Sequence, residues 1–349
     1  MNLEEVLNLG GFEALARARL PADAYGYLAG GAGDEVTLRE NVMAYARRRL
    51  RPRMLVDVSR IDPSTTMLGT KTALPVAFAP TARHGWFHPE AESASARAAA
   101  GAGAVYCAST LSSLSLEQIA AEGGERWFQL YVHDRARTQG LVERAAAAGY
   151  KAVVLTVDVP VLGYRQRELR PVSNFPAVGE LGNFTDVVFD PDNARSTAGE
   201  HDHTLTWDFL ARLRELSDLP LVIKGILTAE DAGLAVDHGA AAVVVSNHGG
   251  RQLDRAPATI DVLEEVVSAV AGRAEVYIDG GVRRGADVLI ALALGARGVL
   301  IGRPFLWALA AAGEAGVTRA FELLTSEITT DMALLGTPRV ADITRAHVQ

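Results

Sequence analysis

Short, mostly apolar runs recur along the chain, separated by longer stretches of mixed character. They are LPVAFAP (74–80), AVYCAS (104–109), RWFQLYV (126–132), AVVLTVD (152–158), PLVIKGI (220–226), AAVVVSNH (241–248), EVYIDGGV (275–282) and GVLIGRPF (298–305). Most are continuously apolar instead of alternating, the pattern of parallel strands covered on both faces. The intervening pieces, such as AEDAGLAVDHG and GADVLIALALG, combine helix formers, a helical apolar stripe and a closing glycine. Eight strand–helix units in succession predict an α/β fold of the (β/α)8 TIM-barrel type. An open doubly wound sheet is the alternative, and the near-regular spacing favours closure.

Successive runs begin 21–34 residues apart, except for a gap of 68 between the fourth and fifth. The extra material, residues 163–215, is rich in Pro, Gly, Asn, Asp and His and weakly periodic. An insertion after a barrel strand lies at the C-terminal face, where it can act as a lid. Residues 1–70 read as a largely helical extension packed on the barrel (74–305), and residues 306–349 as C-terminal helices. The whole of 1–349 is expected to form one domain.

Composition narrows the class. The chain has 349 residues, 49% apolar and 22% charged, with a formal charge of −8 and one cysteine. These values suit a globular chain and exclude a disordered, collagen-like or disulfide-scaffold protein. Cys107 has no partner, which points to a reducing compartment and a cytoplasmic location. The N-terminus is acidic early and lacks the apolar core of a signal peptide. The best membrane candidate, VLIALALGARGVLIG, is broken by Arg297, so no membrane association is expected. Net acidity argues against nucleic acid as a partner. No metal site is expected.

The ends of the runs carry the candidate chemistry, because barrel enzymes place their sites at the C-terminal ends of the strands. Read in order, these ends give Pro80-Thr81, Ser109, Gln129 and Tyr131, Thr156 and Asp158, Lys224, Ser246-Asn247-His248, Asp279-Gly280-Gly281 and Gly302-Arg303. One polar residue at such a place would mean little. A set at nearly every strand end predicts a site. The glycines and arginines of DGGVRRG (279–285) and IGRP (301–304) follow the seventh and eighth runs, where barrels usually hold phosphate. Two ordinary turns with solvated arginines are the plain alternative. GGAGDE (30–35) and GAGA (101–104) do not follow strands in a dinucleotide-binding arrangement.

Three residues invite a sharper reading. Only 3 of the 34 basic residues are lysines, and Lys224 ends an apolar run. It is either half of a structural ion pair or a fixed cation that offsets charge developing on a cofactor. His248 lies in SNHGGRQLD (246–254), and Asp158 is a candidate to hold its imidazolium. Arg251 offers the planar fork that suits a carboxylate. Base and fork together suggest proton abstraction from a small carboxylic acid. Tyr27, in YGYLAGGAGDE (25–35), reads on its own as core packing.

These motifs resemble the FMN-dependent α-hydroxy acid oxidases and dehydrogenases, the family of glycolate, lactate and mandelate oxidases. The resemblance runs over nearly the whole chain, through YGYLAGGAGDE, APTARHGWFHPEAE (79–92), WFQLYV (127–132), LTVDVPVLGYRQRELR (155–170), VIKGILTAEDA (222–232), SNHGGRQLD, DGGVRRGADV (279–288) and IGRPF (301–305). SNHGGRQLD followed by DGGVRRG is its most specific part. The resemblance implies FMN as cofactor and oxidation of an L-2-hydroxy acid, lactate- or mandelate-type, to the 2-oxo acid. O2 is the implied acceptor, giving hydrogen peroxide, and another electron carrier is the alternative. It implies His248 as the base, Asp158 as its charge partner, and Tyr131 near the substrate hydroxyl. Arg251, Tyr27 and Arg165 are implied as carboxylate ligands. Pro80, Thr81, Ala82, Ser109 or Thr110, Gln129, Thr156 and Ser246 are implied as flavin-ring and ribityl contacts. Lys224 is implied beside the flavin N1 and C2 carbonyl, and Asp279, Gly281, Arg283, Gly302 and Arg303 as the ribityl-phosphate grip. A homotetramer is the implied assembly.

Departures refine this. No haem domain precedes the barrel, which disfavours the flavocytochrome type. The insertion has no strongly apolar segment, which disfavours the membrane-bound mandelate dehydrogenase type. The chain ends in RAHVQ, without a peroxisomal tripeptide. ARHGWFHP is closer to bacterial lactate and hydroxymandelate oxidases than to the plant glycolate enzyme. Leu111 stands where the latter has a bulky aromatic, which would admit a larger substrate. A nucleotide-binding barrel of the IMP dehydrogenase type would need a loop cysteine, and Cys107 falls within the second run. A flavin-binding barrel without catalysis would need no base at His248.

Overall fold

The eight apolar runs form eight parallel strands that close into one barrel. The computed structural model describes residues 2–169, 181–184 and 202–349. A short antiparallel hairpin, β1 (Thr65–Met67) and β2 (Thr70–Thr72), precedes the barrel. The barrel strands are β3 (Val76–Phe78), β4 (Val105–Ser109), β5 (Glu125–Leu130), β6 (Val153–Thr156), β7 (Leu221–Ile226), β8 (Ala242–Val245), β9 (Glu275–Asp279) and β10 (Gly298–Ile301). They pair in chain order, and β10 returns to β3. Closure leaves no free sheet edge.

Side chains alternate between two cores, as the pleat requires. Outward residues such as Phe78, Phe128, Ile223 and Ile278 pack under the helices, while Ala77, Cys107, Trp127, Val154, Val222, Val244, Tyr277 and Leu300 fill the interior. Trp127 and Tyr277 meet edge to face, with ring centroids 5.3 Å apart. The hairpin plugs the lower end. Met67 joins the interior cluster, and the Leu68 N–H donates to the Tyr277 hydroxyl at 3.1 Å. Cys107 is buried inside the barrel, far from any loop nucleophile's position.

A helix follows almost every strand. In chain order these are α4 (Ala91–Gly101), α5 (Leu116–Ala121), α6 (Arg135–Ala147), α8 (Phe209–Leu216), α9 (Ala229–Asp237), α10 (Thr259–Val270), α11 (Gly285–Ala293) and α12 (Arg303–Leu335). Several start on side-chain caps: Ser115 with Gln118 for α5, Asp134 for α6 and Thr228 for α9. α12 is broken at Ala312 and Gly313, which leave helical geometry. Among the described residues, no helix is long and apolar enough to cross a membrane.

The extension is helical as expected through α1 (Gly11–Arg19), α2 (Ala22–Ala29) and α3 (Val36–Ala46). Residues 47–64 contain no helix, contrary to the reading of 1–70 as largely helical. Pro52 and Pro63 oppose helix there, and the backbone pairs instead with the C-terminal tail, Arg49 and Arg51 donating to the Gln349 and His347 carbonyls. Beyond α12 the tail carries only short helical turns at Val340–Asp342 and Arg345–His347.

Of the 163–215 insertion, residues 170–180 and 185–201 lie outside the described residues, and the lid expectation with them. α7 (Gln166–Leu169) contacts α2. Residues 181–184 fold back onto the β4–α5 loop, where the Asn183 amide donates to the Thr110 carbonyl at 3.0 Å and accepts from the Leu116 N–H at 3.0 Å.

Candidate active site

One pleat step above the apolar interior, the inward positions change character. Two residues beyond Cys107, Trp127, Val154, Val222, Val244, Tyr277 and Leu300 stand Ser109, Gln129, Thr156, Lys224, Ser246, Asp279 and Gly302. With the loops above them, all of these but Ser246 line a cleft that opens to solvent at its mouth. Its wall contains Tyr27, Pro80, Thr81, Ala82, Ser109, Gln129, Tyr131, Thr156, Arg165, Lys224, His248, Arg251, Asp279, Gly281, Arg283, Gly302 and Arg303. Asp158 and Ser246, also predicted, stand behind this wall and act on residues in it.

Hydrogen bonds link the floor from strand to strand. The Ser109 hydroxyl and the Thr110 N–H donate to Gln129 Oε1, each at 3.2 Å, and Gln129 Nε2 donates to the Thr156 hydroxyl at 3.1 Å. Lys224 donates to Ser246 Oγ at 2.9 Å and pairs with Asp279 at 3.2 Å. Burial pushes the Lys224 ammonium toward neutrality, but Asp279 and Asp158 more than reverse that and hold it charged. A register shift in β7 falls between Lys224 and Ile226. Gly225 there has φ +117°, and a side chain on it would meet Asp158 at 2.7 Å. The irregularity lets the end of β7 approach Asp158.

His248 is held on three sides. Its Nδ1 lies 2.9 Å from Asp158 Oδ1, its N–H donates to Ser246 Oγ at 3.1 Å, and its Nε2 lies 3.5 Å from the Tyr131 hydroxyl. Its backbone is left-handed, φ 56°, which turns the ring back over the strand ends. Burial pushes the imidazole below its ordinary value, against the pull of Asp158. Burial also raises the Asp158 carboxyl, but His248 and Lys224 outweigh it and keep the group below the usual carboxylate range. The resting pair is therefore a neutral imidazole with an ionised partner. Asp158 fixes the proton on Nδ1 and leaves the Nε2 lone pair facing the cleft.

Arginines enclose the other sides. Arg251 donates to the Tyr27 and Gly30 carbonyls at 2.6 and 3.1 Å, and its guanidinium sits 4.6 Å above the Tyr27 ring. Tyr27 packs edge to face on Trp86 and also lines the cleft, so packing and site are one role here. Arg165 donates to the Arg251 carbonyl at 2.9 Å and to Gln252 at 3.0 Å. Arg303 donates to three backbone carbonyls, those of Leu28, Gly249 and Gly30. Burial and the neighbouring arginines push it down to about 9. The Arg283 guanidinium stacks on Trp307 and, among the described residues, hydrogen-bonds only the Val282 carbonyl, while its backbone N–H donates to Asp287.

The extension completes the site. Asn41 of α3 and Asn247 exchange amide hydrogen bonds of 2.8 Å in both directions, fixing the backbone next to His248. Gly281, φ +87°, passes so close to α3 that a Cβ would fall 1.9 Å from the Asn41 carbonyl oxygen. Asn247 stands among the strand-end residues in the sequence, whereas Asn41, Gln252 and Glu168 were missed. Their role rests on contacts about 80–220 residues apart, which no local pattern encodes.

The residues fit FMN. The partly buried guanidiniums of Arg283 and Arg303 have no carboxylate within hydrogen-bond reach among the described residues, which calls for an anionic group such as phosphate. Asp279 Oδ1 is buried without a hydrogen-bond partner among the described residues and can accept from ribityl hydroxyls. Gln129 and Lys224 offer the donors a flavin ring edge needs.

Residues 16–349 match the FMN-dependent dehydrogenase family. The chain is 49% identical over 353 residues to glycolate oxidase 1 of Oryza sativa subsp. japonica, covering 99% of this chain and 96% of that one. It is 50% identical over 351 residues to the L-lactate oxidase of Nostoc sp. (strain PCC 7120), covering 97% and 96%. A crystal structure of mandelate oxidase superposes with a TM-score of 0.92 at 46% identity, covering 98% of each chain. The mandelate oxidase solved with benzoyl-formic acid gives a TM-score of 0.91 at 45% identity over the same shares.

Proposed function

The chain belongs to the FMN-dependent dehydrogenase family, and from that premise we propose that it oxidises an L-2-hydroxy acid to the 2-oxo acid, with O2 as electron acceptor and hydrogen peroxide as second product. One observation carries the reading: a base held by Asp158 shares its cleft with the guanidiniums of Arg165 and Arg251. FMN bound in the rest of the cleft supplies the two-electron acceptor.

The chain's own residues do the rest. Arg251, Arg165 and Tyr27 hold the substrate carboxylate and so fix where C2 stands, which is a positioning contribution. Tyr131, beside His248 Nε2, holds the substrate hydroxyl. His248 Nε2 takes a proton from the substrate, and the resulting imidazolium is stabilised by Asp158 at the other nitrogen. Lys224 sets a fixed positive charge at the cofactor side, where negative charge develops. Arg283 and Arg303 hold the phosphate end. Leu111, Val159 and Leu162 in the cleft wall suit a lactate- or mandelate-type acid with an apolar side chain. A homotetramer and a cytoplasmic location belong to the same proposal. The assembly follows from the resemblance and is checked by light scattering, which should give four times the chain mass. The location rests on the lone unpaired cysteine.

The test is an anaerobic visible titration of the FMN-loaded protein with L-lactate and then L-mandelate. Bleaching by either acid, with colour and hydrogen peroxide returning on admission of air, is expected. A flavin that neither acid bleaches would overturn the reading. Bleaching that air does not reverse would move the acceptor from O2 to another carrier.

A further inference from the structure

Glu168, in α7, does not line the cleft, yet it touches two arginines that do, Arg165 and Arg251. Its carboxylate accepts from Arg251 Nη2 at 2.8 Å and lies 3.6 Å from Arg165 Nη1. The neighbouring Arg167 pairs with Glu35 at 2.6 Å, which pins α7 against the extension. Arg251 thus has one end of its fork on the Tyr27 and Gly30 carbonyls and the other on Glu168.

The two guanidiniums and this one carboxylate sum to a charge of +1. Burial and the charge of Arg251 push Arg165 below its ordinary value, and Glu168 opposes that repulsion. A single incoming carboxylate brings the cluster to neutrality. A second carboxylate on the same ligand would leave a net negative charge among these partly buried groups, where charge imbalance costs more than in bulk water.

We propose that Glu168 is a specificity-determining residue: from behind Arg165 and Arg251 it cancels one of their two charges and so restricts the site to acids carrying one carboxylate. The inference rests on the reading of this arginine pair as the substrate-carboxylate site. Glu168→Gln keeps a hydrogen-bond acceptor for Arg251 and removes the charge, which leaves a cluster matched to a dianion.

The test compares propionate and malonate, similar in size but carrying one and two charges. Their affinities for the FMN-loaded protein are read from the change each causes in the visible absorbance of the flavin, with no turnover required. In Glu168→Gln the preference for malonate over propionate should rise at least about tenfold relative to wild type, the order expected for one unit charge about 10–12 Å away at an effective dielectric constant of about 20. Glu168→Asp, which keeps the charge, should hold the wild-type ratio. A ratio in Glu168→Gln within about twofold of wild type, or an equal change in Glu168→Asp, would overturn the inference alone. Failure of both acids to bind wild type would overturn the carboxylate-site reading beneath it.

Discussion

The lower and upper levels of the barrel interior are built on the same strands, one pleat step or about 7 Å apart. The lower level is Val105, Cys107, Trp127, Val154, Val222, Val244, Tyr277 and Leu300, closed below by Met67. The upper level is Gln129, Thr156, Lys224, Ser246 and Asp279, and it opens into a cleft. The lower residues pack against one another as an apolar cluster. Above the upper residues, the partly buried guanidinium of Arg283 finds no carboxylate partner among the described residues. Two residues along a strand therefore separate a position that holds the fold from one that does chemistry.

That division predicts opposite consequences for the two levels, and the largest is at the top. His248→Ala should leave the protein yellow with an almost unchanged unfolding midpoint, while kcat/KM for its 2-hydroxy acid falls about 10²- to 10⁴-fold. Full retained activity would remove His248 from the mechanism. A protein that no longer folds would break the division itself.

Below, Trp127→Ala should do the reverse. Trp127 is fully buried and packs on Tyr277, so its loss leaves a cavity worth about 3–5 kcal/mol of stability. Urea unfolding should show the loss, and the fraction that remains folded should turn over with wild-type kcat. A fall in kcat comparable to that of His248→Ala would show that the lower level positions the upper one closely enough to erase the distinction.

Both levels differ in how far the sequence reveals them. The strands are legible because eight apolar runs at near-regular spacing fit a closed strand–helix barrel and little else. The site is legible because polar residues end those runs. Tyr27 reads as plain packing until the family resemblance is added, and its ring indeed packs on Trp86 while Arg251 lies over it. The hairpin of β1 and β2 is not legible. Its strands, Thr-Thr-Met and Thr-Lys-Thr, are three residues each and owe their place to the barrel mouth that Met67 fills. The missed residues share one property. Asn41, Gln252 and Glu168 matter through partners remote in the chain, a relation that composition and periodicity do not carry.

The smallest effect belongs to a residue at the upper level that the cleft does not use directly. His84 lies fully buried in the turn between β3 and α4, with Nδ1 at 2.9 Å from Ser95 Oγ and Nε2 at 2.7 Å from the hydroxyl of Thr81, which does line the cleft. Burial pushes it down to about 3, so the native protein keeps this imidazole neutral. The unfolded chain takes up a proton there below about pH 6.5. Its folded value lies below its unfolded one, so its contribution is intact above about pH 6.5 and is lost as pH falls toward about 3. Between pH 7 and pH 5 this one group should lower the unfolding free energy by about 2 kcal/mol. His248, also held below its ordinary value, adds in the same direction. His84→Gln keeps polar groups for Ser95 and Thr81 but cannot titrate, so urea unfolding at pH 7 and pH 5 should show a flatter dependence than wild type. An equal slope in the two proteins would mean that water or a local opening lets His84 protonate in the native state. The upper level would then be wetter behind its wall than its hydrogen bonds imply.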